Sequence, residues 1–311
     1  MSSSPAVAVP VSRRAVWGAR FADYLELTKP RIAVLELITV AVAACVASRG
    51  WPANPVVLLH ALLGTALVAG SASALNQWLE RDTDGRMPRT ADRPIPSGRV
   101  SPSAAVAFGL TTGVAGAVYL ALYVNVATAL LGLLTWALYV WIYTPLKTRT
   151  PSNTAVGAVA GALPVLIGWA AVDGAWTGEH GLMAATLFLI VFLWQFPHFM
   201  AIAWLYRDDY ARGGMKMLTV VDPSGRRAGG LAMLGALALV PVSVLPAALY
   251  FAGPLFCAAA VGLSLWQWSC ALRFSARRDE PSARRLLWMS LIYLPSILLL
   301  LLMAPLVFPR L

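Results

Sequence analysis

The sequence predicts an all-α fold, a polytopic membrane bundle of nine transmembrane helices with the N-terminus cytoplasmic and the C-terminus outside. Three observations carry this. Of 311 residues, 59% are apolar and 12% charged, with a mean hydropathy of +0.70; an ordinary soluble domain carries about 25% charged residues. The apolar residues come in runs of roughly 18–25, the length that crosses a hydrocarbon core about 30 Å thick. Lys and Arg fall almost entirely on one side once these runs are threaded.

The spans read as 31–48, 56–79, 102–122, 125–143, 153–172, 181–205, 228–247, 249–272 and 285–307. They must be helices, because lipid offers backbone N–H and C=O groups no partner. Residues 1–22 read as a flexible cytoplasmic tail, with Ser, Pro and Arg but no apolar core of a secretory signal. Its Ser/Arg content, free of acids before Asp23, also fits an organelle-targeting segment. Residues 23–311 then form one membrane domain.

Orientation follows from the basic residues. Arg13, Arg14, Arg20, Lys29 and Arg31 precede or open span 1, and Arg81, Arg86, Arg89, Arg93 and Arg99 follow span 2. Lys147 and Arg149 follow span 4; Arg207, Arg212, Lys216, Arg226 and Arg227 follow span 6; Arg273, Arg277, Arg278, Arg284 and Arg285 follow span 8. Only Arg49 and Arg310 lie on the other side, so the positive-inside rule puts the N-terminus in the cytoplasm. The same rule accounts for the net charge of +10, which therefore does not indicate nucleic acid. Cys45, Cys257 and Cys270 lie in apolar runs without CxxC spacing and read as small core residues.

The loops after spans 2 and 6 are longer than the rest and mix acids with bases, which topology does not require. Span 2 ends in Asn76, Glu80 and Asp84, spaced i, i+4, i+8 and so aligned along one helix face. Three oxygen-bearing side chains with incomplete coordination suit Mg²⁺, which keeps waters and shares substrate phosphates. Asp82 points away from this stripe. The bland reading is a solvated helix end whose acids pair with Arg81 and Arg86. Against it stand Asn76, a polar residue inside an apolar run, and the proline-stiffened loop that follows. That loop holds Arg86, Arg89, Arg93 and Arg99, and arginine suits bidentate phosphate recognition.

Span 6 likewise ends in acids, Asp208 and Asp209, followed by Arg212, a Gly-Gly turn and Lys216. Two acid-bearing helix ends could bring metal ions to either side of one diphosphate, although an Asp pair also caps or solvates a helix end. Tyr143 and Lys147, after span 4, add a phenol and an ammonium on the same side. His198 lies within span 6, ten residues before Asp208. It reads as a hydrogen-bonding helix contact or as a contact to a second substrate. Glu36 in span 1 is an intramembrane acid, a functional candidate by default, though close enough to the span's start to snorkel. His60 and His180 sit at outer ends.

Together these segments resemble the UbiA-type intramembrane prenyltransferases, through Asn76-x₃-Glu80-x₃-Asp84, Tyr143-x₃-Lys147 and residues 206–216. The strings 27–31, 76–84, 87–99, 196–199 and 209–217 look most like the branch of that family that farnesylates protohaem. The resemblance covers roughly residues 23–305. It implies nine helices around a cavity open laterally to lipid. The implied reaction transfers the farnesyl group of farnesyl diphosphate to a vinyl group of haem b, with water adding, to give haem O. Haem b is thus substrate rather than cofactor. The resemblance implies one or two Mg²⁺ ions held by Asn76, Glu80, Asp84, Asp208 and Asp209. Diphosphate contacts would come from Arg89, Arg93, Tyr143, Lys147, Arg212 and Lys216, and haem contacts from His198 and Glu36. Asn76, Glu80, Asp84 and Lys147 form the implied catalytic set.

The implied setting is a bacterial inner membrane with the site facing the cytoplasm, membrane lipid around it, and haem A synthase or terminal-oxidase assembly proteins as further partners. Two departures stand out. Many relatives have Asp where this chain has Glu80, and their spaced Asp pair at the second site falls on Tyr206 and Tyr210. Three other readings remain at this point. One is the same chemistry on an aromatic or quinone-precursor acceptor. Another is a secondary transporter, whose acids would sit near the midplane rather than at one surface. The last is a non-catalytic haem-handling factor, which needs no diphosphate site.

Overall fold

The computed structural model describes residues 13–250 and 253–307. Helix α1 (Arg13–Leu27) precedes α2 (Pro30–Ala47), α3 (Pro55–Asp84), α4 (Pro102–Tyr123), α5 (Val126–Leu146), α6 (Asn153–Ala171) and α7 (Gly178–Leu205). Two short helices, α8 (Arg207–Arg212) and α9 (Leu218–Val221), lead to α10 (Arg226–Val242), α11 (Leu245–Tyr250), α12 (Pro254–Arg277) and α13 (Glu280–Val307). Among the described residues, nine segments are long and apolar enough to cross a membrane: α2 to α7, α10 with the start of α11, α12 and α13. They coincide with the nine expected spans to within a few residues at most ends. The largest differences are five residues: α3 stays helical through Asp84, α12 starts and ends five residues later than expected, and α13 starts five earlier.

The expected tail, residues 1–22, lies outside the described residues up to position 12; from Arg13 the chain is α1. Its last turns are docked on the bundle. Arg99 pairs with Asp23 and, at 2.9 Å, with Glu26. Gln77 Nε2 donates to Leu27 O at 3.1 Å, and the Tyr24 and Phe108 rings lie 5.2 Å apart.

Proline and polar caps set the helix starts. The first N–H groups of a helix lack intrahelical partners, so proline fits the first turn, where its missing donor costs nothing. Pro30, Pro55, Pro102 and Pro254 occupy that place. Asn54, Ser101 and Asn125 cap α3, α4 and α5 by accepting from Val56 N, Ala104 N and Thr128 N.

Two sets of helices form the bundle. α3, α4 and α5 pack together on one side, and α7, α10, α12 and α13 on the other; α2 and α6 pack on each other and touch both sets. In lipid the helices gain little from apolar burial against one another, so close backbone approach carries the packing. A Cβ added at Gly109, Gly113 or Gly116 of α4 would lie 2.7 Å from Leu75 Cγ, 2.6 Å from Ser71 Oγ or 2.9 Å from Leu67 Cβ of α3. The tightest approach joins α2 to α6, where a Cβ on Gly168 would meet Val40 O at 2.1 Å. The second set is larger and richer in aromatics, with Trp194, Phe256, Phe274 and Tyr293 buried in one core.

One irregularity bears on function. Residues Leu138–Tyr143 of α5 form a π-helical turn, a feature that redirects side chains and recurs at functional sites. Thr144 Oγ1 donates back to Tyr139 O at 2.8 Å, five residues earlier.

Candidate active site

The end of α3 carries Asn76, Glu80 and Asp84, all buried, at 0%, 7% and 1% exposure. Asp82 is exposed and lies 3.8 Å from Arg81. The stripe thus separates from the solvated face of the same helix as its spacing predicts. Its acids do not pair with Arg81 or Arg86.

Each member of the stripe meets a base from a different segment. Lys29 Nζ donates to Asn76 Oδ1 at 2.6 Å. Lys147 Nζ lies 2.8 Å from Glu80 Oε1, and Arg93 Nη1 lies 2.7 Å from Asp84 Oδ2. Asn76 completes its amide by donating Nδ2 to Thr144 Oγ1 at 3.0 Å, which the π turn places there. Thr90 Oγ1 donates to Asp84 O at 2.9 Å and fixes the exit of the chain from α3.

One acceptor stays unsatisfied: Asp84 Oδ1 is fully buried with no hydrogen-bond donor. Glu80 Oε1 has the Lys147 ammonium at 2.8 Å as its close partner. Buried acceptors without donors are costly, and carboxylate oxygens in this state suit a hard cation.

The two lysines respond oppositely. Burial disfavours the Lys147 ammonium, yet the Glu80 carboxylate outweighs burial and raises it above the usual lysine range. Lys29 is partly accessible but ringed by protein atoms. Burial, then the Arg93 guanidinium, lower it to about 7 although Glu80 opposes them. Lys147 Nζ also sits 4.6 Å from the Tyr143 ring centroid.

The second acidic segment is arranged differently. Asp208 is exposed, and Asp209 faces Arg212 at 3.6 Å. Among the described residues, no three His, Cys, Asp or Glu side chains lie together as a metal cage. Tyr206 and Tyr210 instead hold a cation, with the Arg89 guanidinium 4.9 Å and 6.0 Å from their ring centroids, within cation–π range. Burial raises the Tyr210 phenol, with Arg89 working against it.

Backbone contacts join the loops. Lys216 N donates to Lys147 O at 2.6 Å, while Met87 from the loop after α3 packs with Met215 and Met217. The Lys216 side chain itself is exposed. His198 is a helix-to-helix contact, with Nδ1 2.9 Å from Ser290 Oγ of α13 and its ring stacked on Trp194 at 4.7 Å. Glu36 lies on α2 within electrostatic reach of Lys29, two helical turns away.

The structure therefore joins Asn76, Glu80, Asp84, Arg93, Tyr143 and Lys147. It sets Arg89 beside the α7–α8 corner, and it leaves Asp208, Asp209, Arg212 and the Lys216 ammonium outside that cluster. Lys29 and Thr144 are additions. Lys29 reads in the sequence as a topology residue, and Thr144 carries no signal of its own. The one signal for both is Asn76 itself, whose amide needs two partners in an apolar run.

The family model of the UbiA prenyltransferase family matches residues 37–293. The chain belongs to that family. It is 44% identical over 283 residues to a protoheme IX farnesyltransferase of Solibacter usitatus, covering 88% of this chain and 96% of that one. It is 43% identical over 282 residues to a protein of the same name from Rhodopirellula baltica, covering 88% and 97%. The fold is similar to that of a digeranylgeranylglyceryl phosphate synthase, with a TM-score of 0.76 at 16% identity, covering 92% and 98% of the two chains. A UbiA homolog from Archaeoglobus fulgidus bound to GPP and Mg²⁺ matches with a TM-score of 0.64 at 14% identity, covering 90% and 99%.

Proposed function

We propose that this chain transfers the farnesyl group of farnesyl diphosphate to a vinyl group of haem b, with water adding to the cation left on that group, giving haem O, diphosphate and a proton. The observation that carries the diphosphate half is the stripe of Asn76, Glu80 and Asp84. It presents two buried carboxylates, of which Asp84 Oδ1 has no donor, flanked by Lys29, Lys147 and Arg93. The names of relatives above 40% identity support haem b as the acceptor.

Asn76, Glu80 and Asp84 would hold Mg²⁺, which would supply charge neutralisation for the departing diphosphate. Asp208 and Asp209 are a second carboxylate source, available once Asp209 leaves Arg212. Arg93 and Lys147, already beside Asp84 and Glu80, bind the phosphate oxygens, and Tyr143 steadies the Lys147 ammonium. Arg89, Arg212 and Lys216 close from the loops. As the C–O bond of farnesyl diphosphate breaks, negative charge grows on the bridging oxygen, where these fixed cations stabilise it. The apolar bundle around the site keeps bulk water from the allylic cation. His198 and Glu36, deeper in the bundle, contact haem. The basic end of the bundle faces the cytoplasm of a bacterial inner membrane.

Mass spectrometry of haems extracted from a host with and without this chain tests the reading. Haem O is expected only with the chain, and Asp84→Asn should abolish it. Normal haem O from that variant, or a prenylated aromatic product in place of haem O, would overturn the proposal.

A further inference from the structure

Away from the α3 stripe, at the basic end of the second helix set, the last turns of α12 and the first turns of α13 enclose a cleft. Arg273, Arg277, Arg285, Ser282, Pro281 and Cys270 line it. Its volume is about 40 Å³, several times what one water needs. Arg273 and Arg277 lie i, i+4 on one helix, a like-charged spacing that is unfavourable by itself. Arg285 approaches from the other helix.

None of the three forms an ion pair among the described residues. The nearby acids are engaged elsewhere: Asp279 accepts from Ser282 N at 2.9 Å, and Glu280 lies 3.5 Å from Arg284. A set of cations needed only for orientation would spread into solvent; these converge on one concavity. Just beyond the arginines the surface becomes apolar and lipid-facing, with Trp266, Leu272, Trp288 and Leu291 all exposed. Trp288 is one turn past Arg285, the depth at which aromatic side chains meet headgroups.

We propose that this cleft binds the phosphate of an anionic phospholipid. Arg273 and Arg277 would grip the phosphate from α12 and Arg285 from α13, with the acyl chains lying along the exposed Trp and Leu side chains. Guanidinium groups from two helices make a planar, multidentate receptor for phosphate oxygens, and basic pockets between transmembrane helices are the recurring form of such sites. The bound headgroup would tie α12 to α13, whose Arg273, Arg277 and Arg285 otherwise meet here without an ion-pair partner among the described residues.

The full chain purified in detergent is titrated with phosphatidylglycerol, with phosphatidylcholine and with inorganic phosphate, and bound lipid is counted by native mass spectrometry. Phosphatidylglycerol should bind in preference to phosphatidylcholine. Its affinity should fall at least roughly tenfold in Arg273→Gln/Arg277→Gln/Arg285→Gln, given about a tenfold loss for removing even one or two well-placed basic contacts. A control variant, Arg278→Gln/Arg284→Gln, removes charge from the same corner but not from the cleft and should bind like the parent. All five side chains are outside the helix core, so each variant's unfolding midpoint checks that it folds. Equal loss in both variants would overturn the proposal in favour of bulk charge attraction. Displacement of the lipid by millimolar inorganic phosphate would overturn the lipid assignment in favour of a soluble anion.

Discussion

Replacing Lys147 with methionine tests the energetics of the site directly. Its ammonium lies 2.8 Å from Glu80 Oε1, and the two side chains are only 14% and 8% exposed. Removing one member of a buried pair leaves the other charge uncompensated, at a cost of about 3–5 kcal/mol. Lys29 and Arg93 still act on Glu80, so the lower end, about 3 kcal/mol, is expected. For a chain of this size that is a fall of about 6 °C in the unfolding midpoint, at about 2 °C per kcal/mol. Adding Glu80→Gln removes the stranded charge and should restore most of the loss, although neither variant should transfer a prenyl group. The assay is a thermal unfolding series in detergent beside turnover in membranes. The reasoning fails if the double variant is as unstable as Lys147→Met, or if Lys147→Met melts within about a degree of the parent.

Gly168→Ala should lower the unfolding midpoint by several degrees, because its Cβ would meet Val40 O and force α2 from α6, an overpacking cost of about 1–3 kcal/mol. Gly262→Ala, which meets nothing within 4 Å, should leave the midpoint unchanged or slightly raised. Tyr206→Ala/Tyr210→Ala should raise KM for farnesyl diphosphate roughly tenfold by releasing Arg89, since each ring contributes about 0.5–1 kcal/mol. The corresponding Phe pair should keep the parent KM, and equal losses for Ala and Phe would implicate the hydroxyls instead. Ser290→Ala should leave diphosphate release with a simple prenyl acceptor intact. If His198 contacts haem, that same variant should alter haem O output by freeing the ring, and an unchanged output would remove His198 from the haem site.

The nine spans and the α3 stripe were legible because each rests on local arithmetic. Twenty apolar residues need no partner to be read as a helix, and the i, i+4, i+8 spacing fixes Asn76, Glu80 and Asp84 to one face. The bases facing that stripe were only partly legible. Arg93 lies in a loop whose mixed charge marks it as a phosphate contact, and Lys147 lies in a loop on the same side, whereas Lys29 reads as one topology residue among many. Nothing in its neighbourhood encodes the φ of 50° that turns it toward Asn76. The π turn in α5 is invisible to apolar periodicity, yet it sets Thr144 against Asn76. At the second site the acids drew attention, but the tyrosines beside them are what meet Arg89, and a cation–π contact leaves no spacing signature across 117 residues of chain.

The pairing of the stripe with Lys29, Lys147 and Arg93 also bears on the order of events at the site. A divalent ion arriving alone would take oxygens already facing three bases and leave those bases crowded around it. A diphosphate arriving alone would draw the bases away and leave Glu80 and Asp84 exposed to its own negative charge. Arriving together, ion and anion exchange partners with the protein, and every charge keeps a neighbour. The affinity of each is then raised by the other, by equal factors in both directions. Measured singly, either one would appear to bind far more weakly than it does in turnover.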